Sequence, residues 1–191
     1  MTAARKLQVA TALALGVILP VAATLWFAER LQVAHNQSIV GKQAPDFEVA
    51  TLRGEYHTLS TYEGRRLALL FVDFDCPACV QQLGYLDKLS REVLGPPDLE
   101  MLAVSESSDE RTSGFAGDFT LSFPLVVDCG SMRSGYRVTS EPTLVLIDER
   151  GIVRFSRGGS MRLGMMRRLI HGFAVEGKIA LEAVVAEDAD E

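Results

Sequence analysis

The sequence predicts an α/β domain with a mixed central sheet flanked by helices, preceded by one N-terminal transmembrane helix. Two observations indicate the domain: short apolar runs alternate with stretches of helical periodicity, and a tight-turn signal joins the last two runs. The alternation implies parallel crossovers, and the terminal hairpin adds an antiparallel pair, so the sheet is mixed. The third observation is an N-terminal apolar run long enough to cross a bilayer.

This apolar run is predicted to anchor the chain in a membrane. It covers residues 7–28 and follows Arg5 and Lys6. A helix of about 20 apolar residues spans the hydrocarbon core. Basic residues beside a span stay in the cytoplasm, so residues 1–6 are predicted to be cytoplasmic. The anchor is then single-pass in the inner membrane, with the domain in the periplasm or another extracytoplasmic space.

The limits of the other segments follow from composition. A polar tether is predicted over residues 29–40, the folded domain over 41–175 and a solvated acidic tail over 176–191. Two alternatives remain open for the apolar run. A signal peptide could be cleaved at Val21-Ala22-Ala23, which delivers the domain to the same compartment, or the run could be a buried core helix.

The strands of the domain are predicted from continuous apolar runs. Leu67–Val72 has the pattern of a central strand that is buried on both faces. The turn signal Asp148-Glu149-Arg150-Gly151 joins the last two strands into a hairpin. The other predicted strands are Leu99–Val104, Pro124–Val127, Thr143–Ile147 and Ile152–Phe155.

Helices are predicted from apolar residues at helical spacing. The first follows Cys76, continues to Val93 and is stopped by Gly95-Pro96-Pro97. The second, with a weaker pattern, covers Arg111–Phe119. The third covers Met161–Phe173.

Composition excludes two classes of protein. The 191 residues carry a formal net charge of −6, whereas nucleic-acid binding calls for a basic patch. Three cysteines are too few for a disulfide framework, and 48% hydrophobic residues suffice for a core. The cysteines are therefore expected to serve chemistry.

The motif Cys76-Pro77-Ala78-Cys79 lies between a buried strand and an amphipathic helix. At the helix N-terminus, unpaired N–H groups and the helix dipole favour a thiolate at Cys76, the species that attacks disulfides. Pro77 suits the first helical turn. Cys76 should be exposed and nucleophilic, and Cys79 should be buried and resolve the mixed disulfide.

Two alternatives to redox chemistry remain open, a structural disulfide and half of a zinc site. A zinc site would need two more ligands at paired spacing. The remaining candidate ligands are scattered: His35, His57, Cys129 and His171. We therefore predict no metal and no cofactor other than the redox-active disulfide Cys76–Cys79.

The sequence from about Gly41 to Gly159 resembles the periplasmic thioredoxin-like proteins grouped around TlpA, ResA and MauD, with MauD nearest. Besides the dithiol and its strand, the resemblance rests on Gly41-Lys-Gln-Ala-Pro-Asp-Phe47, Thr51-Leu-Arg-Gly54, Tyr136-Arg-Val138 and Glu141-Pro-Thr-Leu-Val-Leu-Ile-Asp-Glu-Arg-Gly151. It implies a thioredoxin-like fold. It also implies that Pro142 is cis, faces the dithiol and helps to hold the substrate backbone. Glu141 and Pro77 are expected to line the same substrate-binding surface.

The sequence departs from thioredoxin in its charges. Thioredoxin has an aromatic residue just before its first cysteine, where this sequence has Asp75. Thioredoxin also has a buried acid on the preceding strand, and the matching position here is at about Leu70. If Asp73, Asp75 and Glu141 surround Cys76, their negative charge disfavours the thiolate and makes the pair reducing rather than DsbA-like. The alternative is that these acids point into solvent.

Cys129 is the third cysteine and has two interpretations. The first is a small buried hydrophobic residue in the core. The second is a regulatory or intermolecular thiol.

The predicted function is thiol–disulfide exchange with a protein substrate. By resemblance, the substrate is apocytochrome c or a partner such as methylamine dehydrogenase, and a membrane-embedded DsbD-type protein is a possible electron donor. A peroxiredoxin would need Thr or Ser and Pro before the cysteine, and Phe71-Val-Asp-Phe-Asp75 has neither. A non-catalytic binding or chaperone module is the other alternative.

Overall fold

A computed structural model describes residues 39–51, 54–92, 99–106, 114, 120–177 and 179. Four predicted segments lie wholly or mostly outside the described residues: the transmembrane segment over 7–28, most of the tether, the helix over 111–119 apart from Gly114, and the acidic tail beyond Gly177 apart from Ile179. None of the helices in the described part of the chain is long and apolar enough to cross a membrane.

The described residues form seven strands and three α-helices. The strands are β1 (Glu48–Thr51), β2 (Tyr56–Thr58), β3 (Arg66–Val72), β4 (Leu99–Ser105), β5 (Leu125–Val127), β6 (Thr143–Ile147) and β7 (Val153–Gly158). The helices are α1 (Pro77–Glu92), α2 (Ser131–Gly135) and α3 (Leu163–Glu176), and a short 3-10 helix covers Leu59–Tyr62.

All seven strands belong to one mixed sheet in the order β2-β1-β5-β4-β3-β6-β7. The strands β3, β4 and β5 are parallel, and β6 pairs with β3 in the antiparallel direction. In that pairing Phe71 lies opposite Thr143. The carboxyl ends of β3, β4 and β5 therefore meet the amino end of β6 at one edge of the sheet, which we call the dithiol edge.

The central strand β3 supplies both faces of the core because its side chains alternate. Ala68, Leu70 and Val72 pack with the apolar faces of α1 and α3. On the opposite face, the odd-numbered residues of β3 pack with residues from the N-terminal strands and from α2: Phe47, Val49, Tyr62, Met132 and Tyr136. Burial on both faces explains why the sequence of β3 is a continuous apolar run.

The structure confirms the strands predicted for β3 to β6 to within a residue or two and the first and last helices to within a few residues. It extends the last predicted strand to Gly158. The prediction missed β1, β2 and α2, which are short and, unlike β5 and β6, contain no continuous apolar run. Ile39, which was assigned to the tether, is only 7% exposed and already belongs to the core.

Candidate active site

Both cysteines of the motif lie at the dithiol edge, where the chain leaves β3 and enters α1. The Cys76 backbone N–H donates to the Asp73 carbonyl oxygen at 3.2 Å. The Cys76 carbonyl oxygen accepts from the N–H groups of Cys79 at 3.0 Å and Val80 at 3.2 Å. These bonds close the first turn of α1, so Cys76 lies immediately before the helix, next to its N–H groups.

The two sulfur atoms differ in accessibility. Cys76 is half-buried, Cys79 is 0% exposed, and both are free thiols in this structure. The Cys79 backbone N–H donates to Cys76 Sγ at 3.4 Å. The prediction of a buried Cys79 is confirmed. Cys76 is less exposed than expected, because Phe74 and Cys76 pack against the core beneath α1.

The electrostatics of the pair act most clearly on Cys79. Burial raises the pKa of the Cys79 thiol well above its usual range, and a hydrogen bond from the Asp73 backbone opposes this shift. The nearby Cys76 sulfur and the negative charge of Glu141 raise the pKa further. Cys79 is therefore held as a neutral thiol at neutral pH.

The peptide bond between Glu141 and Pro142 is cis, as the resemblance implied. Pro142 is buried and leads directly into β6. Its carbonyl oxygen accepts from the Gly159 N–H at 2.8 Å, and Thr143 Oγ1 donates to the Ser140 carbonyl oxygen at 2.5 Å. These bonds fix the cis-proline loop (residues 140–142) against the end of β7. Pro77 is exposed between the two cysteines.

An ion-pair network lies beside this loop. Arg133 Nη1 donates to Glu141 Oε1 at 2.9 Å and to Glu106 Oε2 at 3.1 Å. The Glu141 side chain is only 12% exposed. Burial raises the pKa of the Glu141 carboxyl; Arg133 opposes this shift, whereas the charges of Asp73 and Glu106 add to it.

The three acidic residues predicted around Cys76 occupy different environments. Asp75 is exposed, which agrees with the alternative that it faces solvent. Asp73 is half-buried, and its Oδ1 accepts from the Asp75 N–H at 2.9 Å. Among the effects that the structure resolves, the charge of Glu141 acts on Cys79. The acidic influence that the structure resolves therefore falls on the buried cysteine.

The prediction that Cys129 is a small buried core residue is wrong, because its side chain is exposed. The residue before it, Asp128, turns inward and is 2% exposed. The Asp128 carboxylate accepts from Ser131 Oγ at 2.8 Å and from the Arg133 N–H at 3.0 Å. Since adjacent side chains at the end of β5 point in opposite directions, the inward Asp128 leaves Cys129 outside.

Two residues of this region escaped sequence analysis. Arg133 lies on α2, a helix too short for its pattern to be recognised. Gln82, one turn beyond Cys79 on α1, is 0% exposed and donates from Nε2 to the Met161 carbonyl oxygen at 2.7 Å. The sequence did contain a signal for Gln82, because a glutamine that lies among the apolar positions of a helix indicates a buried polar side chain. No pattern in the sequence links Arg133 to Glu141.

Within the ranges that the structure describes, no group of three or more His, Cys, Asp or Glu side chains is arranged to hold a metal ion. His57, one candidate zinc ligand, lies on β2 at the far side of the sheet from the dithiol strand. Its Nδ1 forms a hydrogen bond of 2.6 Å with the Tyr62 hydroxyl. The described zinc candidates are therefore dispersed.

Comparison with known proteins identifies the family. Residues 40–156 match the AhpC/TSA family. The chain belongs to this family. The matched range contains the dithiol, the cis-proline loop, the strands β1 to β6 and the part of β7 that ends at Ser156.

Relatives and solved structures agree with this assignment. ResA from Geobacillus kaustophilus, named a thiol-disulfide oxidoreductase, is 32% identical over 162 residues, which cover 82% of this chain and 90% of the relative. The thioredoxin-like protein YneN from Bacillus subtilis is 33% identical over 125 residues, covering 63% of this chain and 72% of the relative. These relatives confirm the predicted enzyme class, a thiol–disulfide oxidoreductase with a thioredoxin-like fold.

Solved structures show the same fold. A protein from Chlorobium tepidum assigned as the thiol:disulfide interchange protein DsbE has a TM-score of 0.66 and 22% identity, and covers 72% of this chain and 99% of its own. StoA from Bacillus subtilis has a TM-score of 0.57 and 22% identity, and covers 65% of this chain and 96% of its own. The fold prediction is therefore confirmed for the described domain.

Proposed function

We propose that the chain exchanges disulfides with a protein substrate through Cys76 and Cys79, in the reducing direction and outside the cytoplasm. The observation that carries the proposal is the pairing of a half-buried sulfur with a buried one. Cys76 precedes α1 and accepts the Cys79 N–H at 3.4 Å, whereas Cys79 is fully buried. A substrate can reach the first sulfur, and the second can be reached only from within the site.

The chemistry follows from this geometry. The Cys76 thiolate attacks a substrate disulfide, forms a mixed disulfide and releases one substrate thiol. Cys79 then attacks Cys76 Sγ, which closes the Cys76–Cys79 disulfide and releases the second thiol. Two electrons and two protons pass from the dithiol to the substrate. Pro142, Glu141 and Pro77 would border the substrate segment during the exchange.

The charges at the dithiol edge support the reducing direction. Glu106 and Glu141 share the guanidinium of Arg133, and the charge of Asp73 acts on Glu141. Their negative charge disfavours additional charge on a nearby sulfur. A dithiol that gains little from ionising is less stable in its reduced form, and its reduction potential is lower.

The reduction potential tests this proposal. The full-length protein is equilibrated with glutathione or dithiothreitol buffers, and the dithiol fraction is quantified by thiol labelling and mass spectrometry. We expect a value near or below about −250 mV, in the range of thioredoxin-like reductants. The control is the Cys76→Ala, Cys79→Ala double variant, which should show no titrating pair.

Other values would contradict the reducing direction. A potential of about −120 to −180 mV would place the protein with DsbA and protein disulfide isomerase, as an oxidant or isomerase. Absence of a titrating dithiol would favour a binding or chaperone module, and that module should keep its function in the double variant. Rapid peroxide consumption with turnover of the dithiol would favour a peroxidase.

The substrate and electron donor are proposed from the resemblance. Reduction of apocytochrome c cysteines, or assistance to a partner such as methylamine dehydrogenase, suits an extracytoplasmic reductant. In an oxidising compartment a reduced dithiol needs a supply of electrons, for which a membrane-embedded DsbD-type donor is proposed. The Cys79→Ala variant cannot resolve a mixed disulfide, so it should trap partner proteins whose disulfides Cys76 attacks.

The membrane anchor is a separate proposal that rests on the apolar run over residues 7–28. We expect the full-length protein to stay in the membrane pellet after alkaline carbonate extraction, with its N-terminus intact. An N-terminus that begins after Ala23 would indicate a cleaved signal peptide instead.

A further inference from the structure

Gln82 is a polar side chain on the otherwise apolar inner face of α1. It is 0% exposed and lies one turn after Cys79. The residues that share this face, Leu83, Leu86 and Leu89, pack in the core cluster beneath the helix. A buried amide loses its hydrogen bonds to water, so an apolar side chain of similar size would be buried here at a lower cost in free energy. Packing alone therefore does not account for a glutamine at this position.

The Gln82 amide is bonded to another element of the fold. Its Nε2 donates to the Met161 carbonyl oxygen at 2.7 Å, and this bond is buried. Its Oε1 is buried as well and has no hydrogen-bond partner among the residues that the structure describes. Within that part of the chain, the bond to Met161 is therefore what ties the amide to the rest of the protein.

Met161 belongs to the segment over residues 159–162 that joins β7 to α3, which we call the β7–α3 connection. The Met161 side chain is buried in the same core cluster as Cys79. Two residues earlier, the Gly159 N–H donates to the Pro142 carbonyl oxygen at 2.8 Å. The connection is therefore hydrogen-bonded to the cis-proline loop through Gly159 and to the dithiol helix through Met161.

This bridge joins the two sides of the proposed substrate-binding surface. Cys76 lies immediately before α1, so the position of the helix sets the position of the first sulfur. The pairing of β3 with β6 also holds the two sides together, but its register ends at Phe71 and Thr143, before the dithiol and the cis-proline loop are reached. The bonds of Gln82 and Gly159 continue the connection beyond the end of that ladder.

We propose that Gln82 is a positioning residue that sets the spacing between Cys76 and the cis-proline loop, and thereby the rate of exchange with a peptide disulfide. This role rests on the proposed dithiol exchange and adds to it a residue that does not touch the substrate. A peptide substrate has to meet Cys76 and the cis-proline loop together, whereas a small disulfide reagent needs only the sulfur. A displacement of about 1 Å far from the reacting atoms can lower a rate by about 100-fold.

The test compares two reagents that release the same leaving group, thionitrobenzoate. The first is 5,5′-dithiobis(2-nitrobenzoate), and the second is a short peptide whose single cysteine forms a mixed disulfide with thionitrobenzoate. Cys76 Sγ forms a bond to one sulfur of the reagent, and thionitrobenzoate leaves with the electron pair of the broken bond. The reduced full-length protein carries Cys129→Ser in every variant, because the exposed Cys129 would react as well. The initial rate of release is measured over a range of reagent concentrations.

We expect Gln82→Met to lower kcat/KM for the peptide reagent by about 10-fold, chiefly through a higher KM, because the two contacts are no longer held at the right spacing. The reaction with 5,5′-dithiobis(2-nitrobenzoate) should stay within a few-fold of the parent. Methionine is apolar and close to glutamine in size, so the core stays filled. The matched control is Gln81→Met, because Gln81 is the preceding residue of α1 but is exposed. It should leave both reactions within a few-fold of the parent.

Two outcomes would overturn the inference while leaving the proposed function intact. Equal slowing with both reagents would show that Gln82 acts on the dithiol itself, and unchanged rates with both would show that it has no role in spacing. Hydrogen exchange in the parent does not depend on any variant folding. The Gly159 amide should be protected, and its rapid exchange would show that the bridge is not maintained. Failure of the parent to release thionitrobenzoate from the peptide reagent would overturn the proposed function itself.

Discussion

Arg133 and Glu141 form an ion pair of 2.9 Å at the start of the cis peptide bond that leads into Pro142. Their side chains are 32% and 12% exposed. The pair joins α2 to the cis-proline loop, and the backbone N–H of Arg133 is in turn held by the buried Asp128 carboxylate at 3.0 Å. The position of this guanidinium is therefore fixed from two sides, and its charge opposes the effect of burial on the pKa of Glu141.

Removing this guanidinium should shift the titration of the Glu141 carboxyl. Arg133 lowers the pKa of Glu141 against the larger effect of burial, so Arg133→Met should raise that pKa further. The titration of the Glu141 carboxyl should therefore move to higher pH. The measurement is an NMR titration of the side-chain carboxyl carbon of Glu141.

The matched control for this variant is Arg167→Met. Arg167 pairs with Glu92 at 3.1 Å, but both side chains are at least 40% exposed and lie outside the dithiol edge. Exposed pairs contribute up to about 1 kcal/mol, so this variant should keep the parent profile and nearly the parent stability. An equal shift in both variants would indicate a general charge effect.

Burial of Cys79 should be visible in its reactivity. In a Cys76→Ser variant, burial still raises the pKa of the Cys79 thiol, so little thiolate is present and the sulfur is hard to reach. Iodoacetamide should label Cys129, which is exposed, much faster than Cys79 in the folded protein. Peptide mass spectrometry measures both rates, which should converge in denaturant. Equal labelling in the folded protein would contradict the burial.

The end of β7 should tolerate no side chain at Gly158. A Cβ there would overlap Ser140 Oγ and lie 3.2 Å from Thr143 Oγ1, so the Ser140 side chain of the cis-proline loop must rearrange. We expect Gly158→Ala to destabilise the fold by about 1–3 kcal/mol, as overpacking does, and to slow exchange. Denaturant unfolding and the rate at which the dithiol reduces 5,5′-dithiobis(2-nitrobenzoate) measure the two effects.

The matched glycine variant is Gly84→Ala, on the exposed side of α1. A Cβ at Gly84 meets nothing within 4 Å. Replacing glycine by alanine inside a helix should stabilise the protein by about 0.5–1 kcal/mol. A loss of stability in this variant, or none in Gly158→Ala, would contradict the packing that the structure shows.

The turn between β6 and β7 should contribute acid-sensitive stability. Burial raises the pKa of Asp148, but hydrogen bonds from the Ile152 and Arg150 N–H groups and from Arg154 outweigh it, so the net pKa is lowered. Stability from a lowered carboxyl pKa is present above the unfolded value of about 3.9 and is lost as pH falls through the folded value.

Asp148→Asn should therefore destabilise the fold by about 1–3 kcal/mol at neutral pH, as expected for a lost charged hydrogen bond. The difference from the parent protein should shrink below about pH 4, where the parent carboxyl also loses its charge. Denaturant unfolding across pH measures both effects. The neighbouring Glu149→Gln removes an exposed partner of Arg66 at 3.3 Å and should change little. A pH-independent difference for Asp148→Asn would indicate a loss of packing.

The longer elements of this fold were predictable because their signals are local. The continuous apolar run of β3 and the helical spacing of α1 each lie within one short segment of sequence. The strands β1 and β2 were not predicted, since four and three residues do not establish an alternation. Their pairing with each other and with β5 supplies the hydrogen bonds that their own sequence does not specify.

By itself, the sequence determined the dithiol and its place between a strand and a helix. It also determined the burial of Cys79, because a residue one helical turn after Cys76 lies within α1. The tertiary structure alone decided which charges reach that dithiol. Arg133 bonds to Glu106 across 27 residues of sequence, and the charge of Asp73 acts on Glu141 across the junction of β3 and β6. The ionisation of a buried thiol depends on distances in space, and these are fixed by the order of strands in the sheet.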